Sequence, residues 1–371
     1  MARVEALKKI CSKVIVITPP VERLRKRGGL MKKILGEGNY RRLTRFFNII
    51  TKPPERVYGA HWYIAAFHDA LGGIDLSVFD LIQIERSELA WWFAGRGKIK
   101  KEIRKIVTFH DVNSILEQRI YEQVVSPRWK IFKFTEWRKT IAYEKKVAYQ
   151  YDNCIVTSKK DAENLLSIYP KAKISIVPNG TKIDYFRANK SHAGDIEPLS
   201  LIFCGSMQWY PNEDAMLFFC KEILPLLRKD IPKVKLYIVG TNPSERVKML
   251  SNDFITVTGS VDDVRPYVTK SAVYIVPIRI GGGTRLKILE ALSMGKPVVT
   301  TSIGCEGLNV VNRKHLLIAD SPIEFANNIK RVFFDKKLCN QLTQHGNDLV
   351  NKYDWDVISK SLEKAWYETI N

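Results

Sequence analysis

The chain has 371 residues, enough for two hydrophobic cores, and its 45% apolar and 26% charged residues exclude a disordered, collagen-like or disulfide-stapled protein. No apolar run of about 18 residues occurs, so no transmembrane helix is expected. Of the net charge of +20, nearly all sits on the first half: residues 1–190 hold 37 Lys and Arg against 19 Asp and Glu, residues 191–371 hold 22 against 20. Nucleic acid, anionic lipid and a phosphorylated substrate all fit such a face, and so does a solvated basic surface that only keeps the protein soluble.

In chain order, the first ten residues have helical spacing and no signal-peptide core. Short β-branched runs then alternate with amphipathic stretches, the pattern of parallel α/β sheets. Strands are expected at 14–17, 81–84, 106–109, 154–156 and 174–177. The polar stretch 187–198 carries no periodicity and reads as a linker. A second series of strands follows at 200–204, 235–239, 255–257, 272–276 and 297–301, with a helix at 212–229 and a last amphipathic helix at 355–370. The expected fold is therefore α/β, two Rossmann-like parallel-sheet domains facing a cleft. The first spans residues 1–187 and the second 188–354, followed by a last helix at 355–371. Parallel sheets present ligands at the carboxyl ends of their strands, which places the site in that cleft. Six cysteines without a C-x-x-C pair (Cys11, Cys154, Cys204, Cys220, Cys305, Cys339) read as reduced thiols of a cytoplasmic protein.

The most informative stretch is residues 276–299. A strand ends, Gly281, Gly282 and Gly283 follow, a helix is expected over 284–294, and Gly295 then Pro297 stop it. Glycines before a helix let an anion approach the backbone, and the first helical N–H groups supply free donors. Thr284 adds a hydroxyl and Arg285 a planar fork suited to phosphate. Lys287 and Glu290, three apart, share a helix face, while Leu286, Leu289 and Leu292 are expected to face the sheet. A carboxylate about two turns beyond the phosphates can accept both hydroxyls of a ribose. Together these parts describe a nucleoside-diphosphate pocket. A plain flexible loop before a helix with a surface Lys287–Glu290 pair fits the glycine run equally well. Neither G-x-x-x-x-G-K-[ST] nor G-x-G-x-x-G is present.

This stretch resembles the donor-binding signature of GT-B glycosyltransferases of family 4, in the form Gly-Gly-Gly-Thr-Arg-x-Lys. Further matches follow in family order: His110-Asp111 at a strand end, the segment 156–161, Pro178-Asn179-Gly180, the strand and loop 203–212, Thr258-Gly259-Ser260-Val261, and Tyr353-Asp354-Trp355. The resemblance implies transfer of a sugar from a nucleotide-diphosphate donor to a glycan or lipid-linked acceptor, with retention, without metal and without a cofactor, since the nucleotide sugar is a substrate. It implies donor contacts from Gly205, Ser206, Val261, the three glycines, Thr284, Arg285, Leu286 and Glu290. It places His110 near the reacting carbon and Glu85, Asp111 and Asn113 on the acceptor side. Nucleic acid is not an expected partner, because no zinc-finger or RNA-recognition signature supports it.

The sequence departs from the family at two places. Gly282 stands where the first of two glutamates is usual, and Met207 and Asn212 replace the usual Arg and Lys. A leaving diphosphate needs its growing charge balanced, so Arg285 and Lys287 become the expected catalytic cations alongside His110. The front reads as the end of a helix and a later strand, which implies a first domain lacking its first βαβ unit. The alternative takes 14–17 as the first strand with Gly28-Gly29 as its loop. A chain of this kind that binds nucleotide without turnover also fits both departures.

Other residues stay open. Asp354-Trp355-Asp356 fits a D-x-D metal motif or a helix cap. Trp91, Trp92 and Phe93 read as core or as a sugar platform. Residues 128–134 interleave Arg128, Lys130 and Lys133 with Trp129, Phe132 and Phe134, either an ordinary solvated helix face or a peripheral contact with an anionic bilayer.

Overall fold

The computed structural model describes residues 74–94, 103–187 and 196–371. The expected strand at 14–17, the Gly28-Gly29 loop, the missing front unit, most of the linker and the side chains of residues 91–93 lie outside the described residues.

The first sheet is wholly parallel, with β1 (Leu81–Glu85), β2 (Arg104–Phe109), β3 (Asn153–Val156) and β4 (Ile174–Ile176) in sequential order. Between them lie α1 (Ser87–Ala94), α2 (Asn113–Gln123), α3 (Pro127–Gln150) and α4 (Lys159–Ile168). Strand alternation splits the core in two. Val107, Phe109, Cys154 and Val156 pack with Tyr143, Val147 and Leu165 of the helices on one face. Ile106 and Ile155 point to the other face, where Ile358 and Ala365 cover them.

A short helix, α5 (Ile183–Arg187), follows β4, and its Ile183 is buried in the second core, not the first. Arg265 of the second half stacks on Tyr185 at 3.9 Å. Helix α5 thus packs on the second core.

The second sheet is also parallel, ordered β10-β9-β8-β5-β6-β7. Its strands are β5 (Glu197–Cys204), β6 (Lys235–Val239), β7 (Ile255–Gly259), β8 (Ser271–Val276), β9 (Val298–Thr300) and β10 (Leu317–Ile318). The order runs outward from β5 and β8 in both directions, the switch at which such sheets open a crevice. The single helix expected at 212–229 is two, α6 (Tyr210–Phe218) and α7 (Leu224–Asp230), joined by a π-helical turn at Phe219–Ile223. Pro225 has no N–H to donate, which explains a break in the regular ladder there. Then come α8 (Leu286–Ser293), α9 (Pro322–Phe334), α10 (Lys336–Val350) and α11 (Trp355–Ile370). Helix α11 packs on the first sheet: Asn153 donates to Thr369 at 2.8 Å and Lys173 to the Glu368 carbonyl at 2.8 Å.

No helix among the described residues is long and apolar enough to cross a membrane.

Candidate active site

Strand β8 ends at Val276, and the glycine segment then lies against the turn that follows β2. Helix α8 starts at Leu286, two residues later than expected. Gly283 has φ of +70°, and a Cβ there would stand 1.6 Å from Asp111 Oδ1 and 3.0 Å from the His110 carbonyl oxygen, so only glycine fits. A Cβ on Gly281 would meet the Arg285 guanidinium at 1.9 Å, and one on Gly282 would lie 3.9 Å from Leu116 and from the Val112 carbonyl. Arg119 of α2 donates to the Gly281 carbonyl, and Arg285 donates to the Gly282 carbonyl.

This corrects the expectation of an open glycine loop. Gly281 and Gly283 are buried and Gly282 is half-buried. The small residues allow close packing of one half on the other, and their outward carbonyls attract the two guanidinium groups.

The seam continues around Arg285. Arg119 holds Glu306 in a two-pronged pair at 2.6 and 2.8 Å. Thr157, after β3, donates to Asp161 at 3.0 Å and lies 3.2 Å from the Thr284 hydroxyl. Ser158 also donates to Asp161, at 2.6 Å. Arg285 is half-buried, and its Nε and Nη2, shut off from solvent, have no hydrogen-bond partner. Burial pushes its pKa below the ordinary guanidinium value, against the opposing pull of Asp111, Glu306 and Asp161. Two nitrogens of the guanidinium that the sequence reading offers to phosphate are therefore unused.

Lys287 and Glu290 rise from α8 on one face, as the spacing predicts. Lys287 Nζ donates to Asn212 Oδ1 at 2.9 Å and stands 4.1 Å from the Phe203 ring centroid. A Cβ on Gly205 would come within 2.8 Å of both Lys287 Nζ and Asn212 Nδ2, so the glycine leaves room for this pair. Asn212 Nδ2 in turn donates to the carbonyl of Ser206 at 2.8 Å. Burial pushes the Lys287 ammonium down to about 7, with Arg285 adding to the depression. Burial raises the pKa of Glu290, and the Lys287 charge opposes this. The Glu290 carboxylate makes no hydrogen bond to another described residue.

Leu286 is 37% exposed, so it does not face the sheet as expected; Ile288, Leu289, Ala291 and Leu292 do. Val261 is half-buried against the second core, just beyond Gly259 with φ of +70°.

On the first half, His110 follows β2 and Glu85 closes β1. His110 Nε2 lies 3.0 Å from Glu85 Oε2. This hydrogen bond, before any other cause, raises the His110 pKa and lowers that of Glu85. Asp111 abuts Gly283. Asn113 was expected on the acceptor side, yet it is buried at the start of α2 and its amide donates to Glu88 at 3.3 Å. Glu144 of α3 caps α2 by accepting from the Asn113 and Ser114 N–H groups at 2.6 and 3.3 Å. Its burial raises its pKa to about 7.

Sequence reasoning missed Arg119, Glu306, Glu144 and the Arg279–Asp214 pair, which closes at 2.8 and 2.9 Å beside the loop after β8. The available signal for Glu306 was its place beside Gly307, whose φ is +83°. Asp354 caps α11, accepting from the Asp356 N–H at 2.9 Å. Among the described residues no three His, Cys, Asp or Glu side chains gather as a metal site.

Two parallel-sheet halves meeting at a glycine segment, with basic side chains from both, define the GT-B architecture. Residues 4–185 match the family described as Glycosyltransferase Family 4, and residues 198–335 match that described as Glycosyl transferases group 1. Both matches are to glycosyltransferase families, one over each half of the chain, and the fold is of the GT-B type. It is 23% identical over 235 residues to an uncharacterized 44.6 kDa protein in the cps region of Klebsiella pneumoniae, covering 61% of this chain and 58% of that one. It is 25% identical over 208 residues to a phosphatidyl-myo-inositol mannosyltransferase of Mycobacterium tuberculosis, covering 52% and 53%. The chain thus spans little more than half the length of these curated relatives. Among solved structures, the fold is shared with a sucrose-phosphate synthase from Thermosynechococcus elongatus, with TM-score 0.65, 20% identity and 85% and 79% of the two chains covered. It is shared too with Anabaena HepE in complex with UDP and glucose, with TM-score 0.64, 15% identity and 82% and 81% covered.

Proposed function

We propose that the protein moves a sugar from a nucleoside-diphosphate donor to a glycan or lipid-linked acceptor, with retention and without a metal ion, on the cytoplasmic side of a membrane. The observation that carries this reading is Lys287, half-buried beside Gly205 and hydrogen-bonded to Asn212. A cation placed there by α8 stands in for the one that Asn212 does not provide. The pyrophosphate would lie along the start of α8 against Lys287 and the free edge of Arg285, and Glu290 would accept the ribose hydroxyls. Gly205, Ser206 and Val261 would line the nucleobase side.

Both cations favour the transition state, where the leaving diphosphate gains charge. In the retaining course, the bond from the anomeric carbon to phosphate breaks and the acceptor oxygen bonds to the same face. The acceptor proton passes to the leaving phosphate oxygen. His110, on the opposite wall, would contact the donor sugar.

Solved relatives in complex with UDP make uridine donors the first to test. A lipid-linked acceptor is favoured by the mannosyltransferase relative, which is named for a phosphatidylinositol acceptor. At the start of α3, Trp129 is 61% and Ile131 69% exposed, beside Arg128 and Lys130, a composition suited to an anionic bilayer surface.

The test is a screen of UDP-, GDP-, ADP- and dTDP-sugars for thermal stabilisation, then for turnover with a polyprenyl-phosphate acceptor in the presence of EDTA. Stabilisation by one nucleotide class, EDTA-resistant turnover and an unchanged anomer in the product support the reading. No stabilisation by any of them overturns it, and binding without turnover marks a noncatalytic member of the group.

A further inference from the structure

Strands β1 and β2 are paired in register, Glu85 opposite Thr108, so their ends emerge side by side. This brings Glu85 to His110. A carboxylate can only accept, so Nε2 carries the hydrogen and Nδ1 is the ring nitrogen left to meet a ligand.

The other oxygen of Glu85 is held independently. It accepts from the Gln83 amide and from the Thr108 hydroxyl at 3.2 Å. The Gln83 amide also reaches Thr108 Oγ1, at 3.1 Å. Gln83 Oε1 accepts the indole N–H of Trp366, on α11. The carboxylate is thus fixed from both neighbouring strands and, through Gln83, from a helix contributed by the end of the chain.

An exposed ion pair adds little stability: Glu85 is 57% and His110 46% exposed. The network is better suited to fixing a ring than to holding the fold. The charged groups around the imidazole are Glu85 on β1, Arg86 just after it, and Asp111 on the same turn. The two carboxylates favour the imidazolium; Arg86 opposes it.

We propose that Glu85 is a positioning residue for His110: it takes the Nε2 hydrogen, aims Nδ1 at the substrate, and is itself kept in place by Gln83 and Trp366. This rests on the transfer reading above only for the identity of the substrate. It moves Glu85 from the acceptor side, where the sequence placed it, to a role behind the histidine. It also gives α11 a route to the site that does not pass through the second domain.

The experiment follows the His110 ring nitrogens by 1H–15N NMR in the full chain from pH 5 to 9, for wild type, Glu85→Gln, Glu85→Ala and Trp366→Phe. In wild type the neutral ring carries its hydrogen on Nε2. Glu85→Gln keeps an acceptor and hence that tautomer, but His110 titrates at lower pH. Glu85→Ala loses the tautomer preference as well. Donor turnover in Glu85→Ala falls about tenfold at constant donor KM, as expected for one lost charged hydrogen bond, and Glu85→Gln recovers part of it. Trp366→Phe, which removes only the N–H, lowers kcat in the same direction with unchanged thermal stability. An unaltered His110 tautomer and titration in both Glu85 variants overturns the proposal, as does an altered ring with an unchanged pH–rate profile. If wild type turns over no sugar nucleotide, the transfer reading fails, while the ring spectra still decide whether Glu85 governs His110.

Discussion

Replacing Lys287 by methionine tests the phosphate pocket most directly. Lys287 is half-buried, and burial lowers the pKa of its ammonium from 10.5 to about 7. Holding that charge in the empty pocket therefore costs on the order of 5 kcal/mol relative to water. A bound pyrophosphate returns a counter-charge, so the lysine in the complex is protonated well above pH 7. Donor binding must then take up a proton when the pH exceeds about 7, and affinity must fall up to tenfold for each further pH unit. Between pH 6.5 and 8.5 the donor Kd should weaken roughly thirtyfold. The pyrophosphate diester of a sugar nucleotide has no titrating proton in this window, so UDP-glucose is a suitable probe. Isothermal titration in buffers of different ionisation heat should show nearly one proton taken up at pH 8, and Lys287→Met should abolish both the uptake and the slope. The sign for folding is consistent. The unfolded chain binds more protons than the folded one between pH 7 and 10.5, so stability rises with pH through that window and the variant lacks the rise. A wild-type Kd independent of pH, or the same slope in Lys287→Met, would refute the assignment.

Three further outcomes follow from the seam and the first half. Gly283→Ala should cost about 2 kcal/mol or more, because φ of +70° is unfavourable for alanine and its Cβ collides with Asp111; the urea midpoint measures it. Glu306→Leu strands the Arg119 guanidinium and should cost about 3 kcal/mol, whereas adding Arg119→Met should cost less than the sum of the single changes in a thermal double-mutant cycle. Glu144, with its pKa raised from 4.5 to about 7, leaves the folded state holding the extra proton, so stability should fall by up to roughly 3 kcal/mol as pH rises from 4.5 to 7, and Glu144→Gln should flatten that part of the profile in chemical denaturation.

Most described strands were legible because buried parallel strands are continuous β-branched runs, as in 272–276 and 235–239, and burial on both faces leaves no other composition. The ends of α8 were legible only in part. Gly295 stops it as expected, but the start slipped from Thr284 to Leu286 because Arg285 takes the N-cap position with φ −89° and ψ 87°. Lys287 and Glu290 could be paired from a spacing of three. That Lys287 would end beside Asn212, 75 positions away, could not, since no local pattern encodes the approach of α8 to α6. The same holds for Arg119 and Glu306, separated by 187 positions. Asn113 was misplaced for a related reason. A polar residue after His110-Asp111 reads as cleft-facing, but Glu144, wholly buried on α3, draws the backbone N–H groups of 113 and 114 into the interior.

The closed glycine segment bears on how a donor could enter. Among the described residues two half-buried arginines, Arg228 and Arg285, each leave a buried Nε and Nη2 without a hydrogen-bond partner. Arg228 lies 4.6 Å from the Phe254 ring, and the ring's negative face compensates it. Arg285 has no such ring among the described residues, and a buried donor left unmade costs about 1–3 kcal/mol. Its one bond, to the Gly282 carbonyl, uses the Nη1 edge. Both unused nitrogens are shut off from solvent, with Nη2 against Gly281, so an anion arriving at the start of α8 must draw Arg285 out from the glycine segment to use them. The carboxylate of Glu290, half-buried and without a hydrogen bond among the described residues, can accept from ribose hydroxyls. Protein left under-satisfied at one place is less stable when empty, and that deficit reappears as affinity when the missing partners arrive. The contacts that must yield are then those that close the glycine segment: Arg119 with Glu306 and the Gly281 carbonyl, and Arg285 with the Gly282 carbonyl.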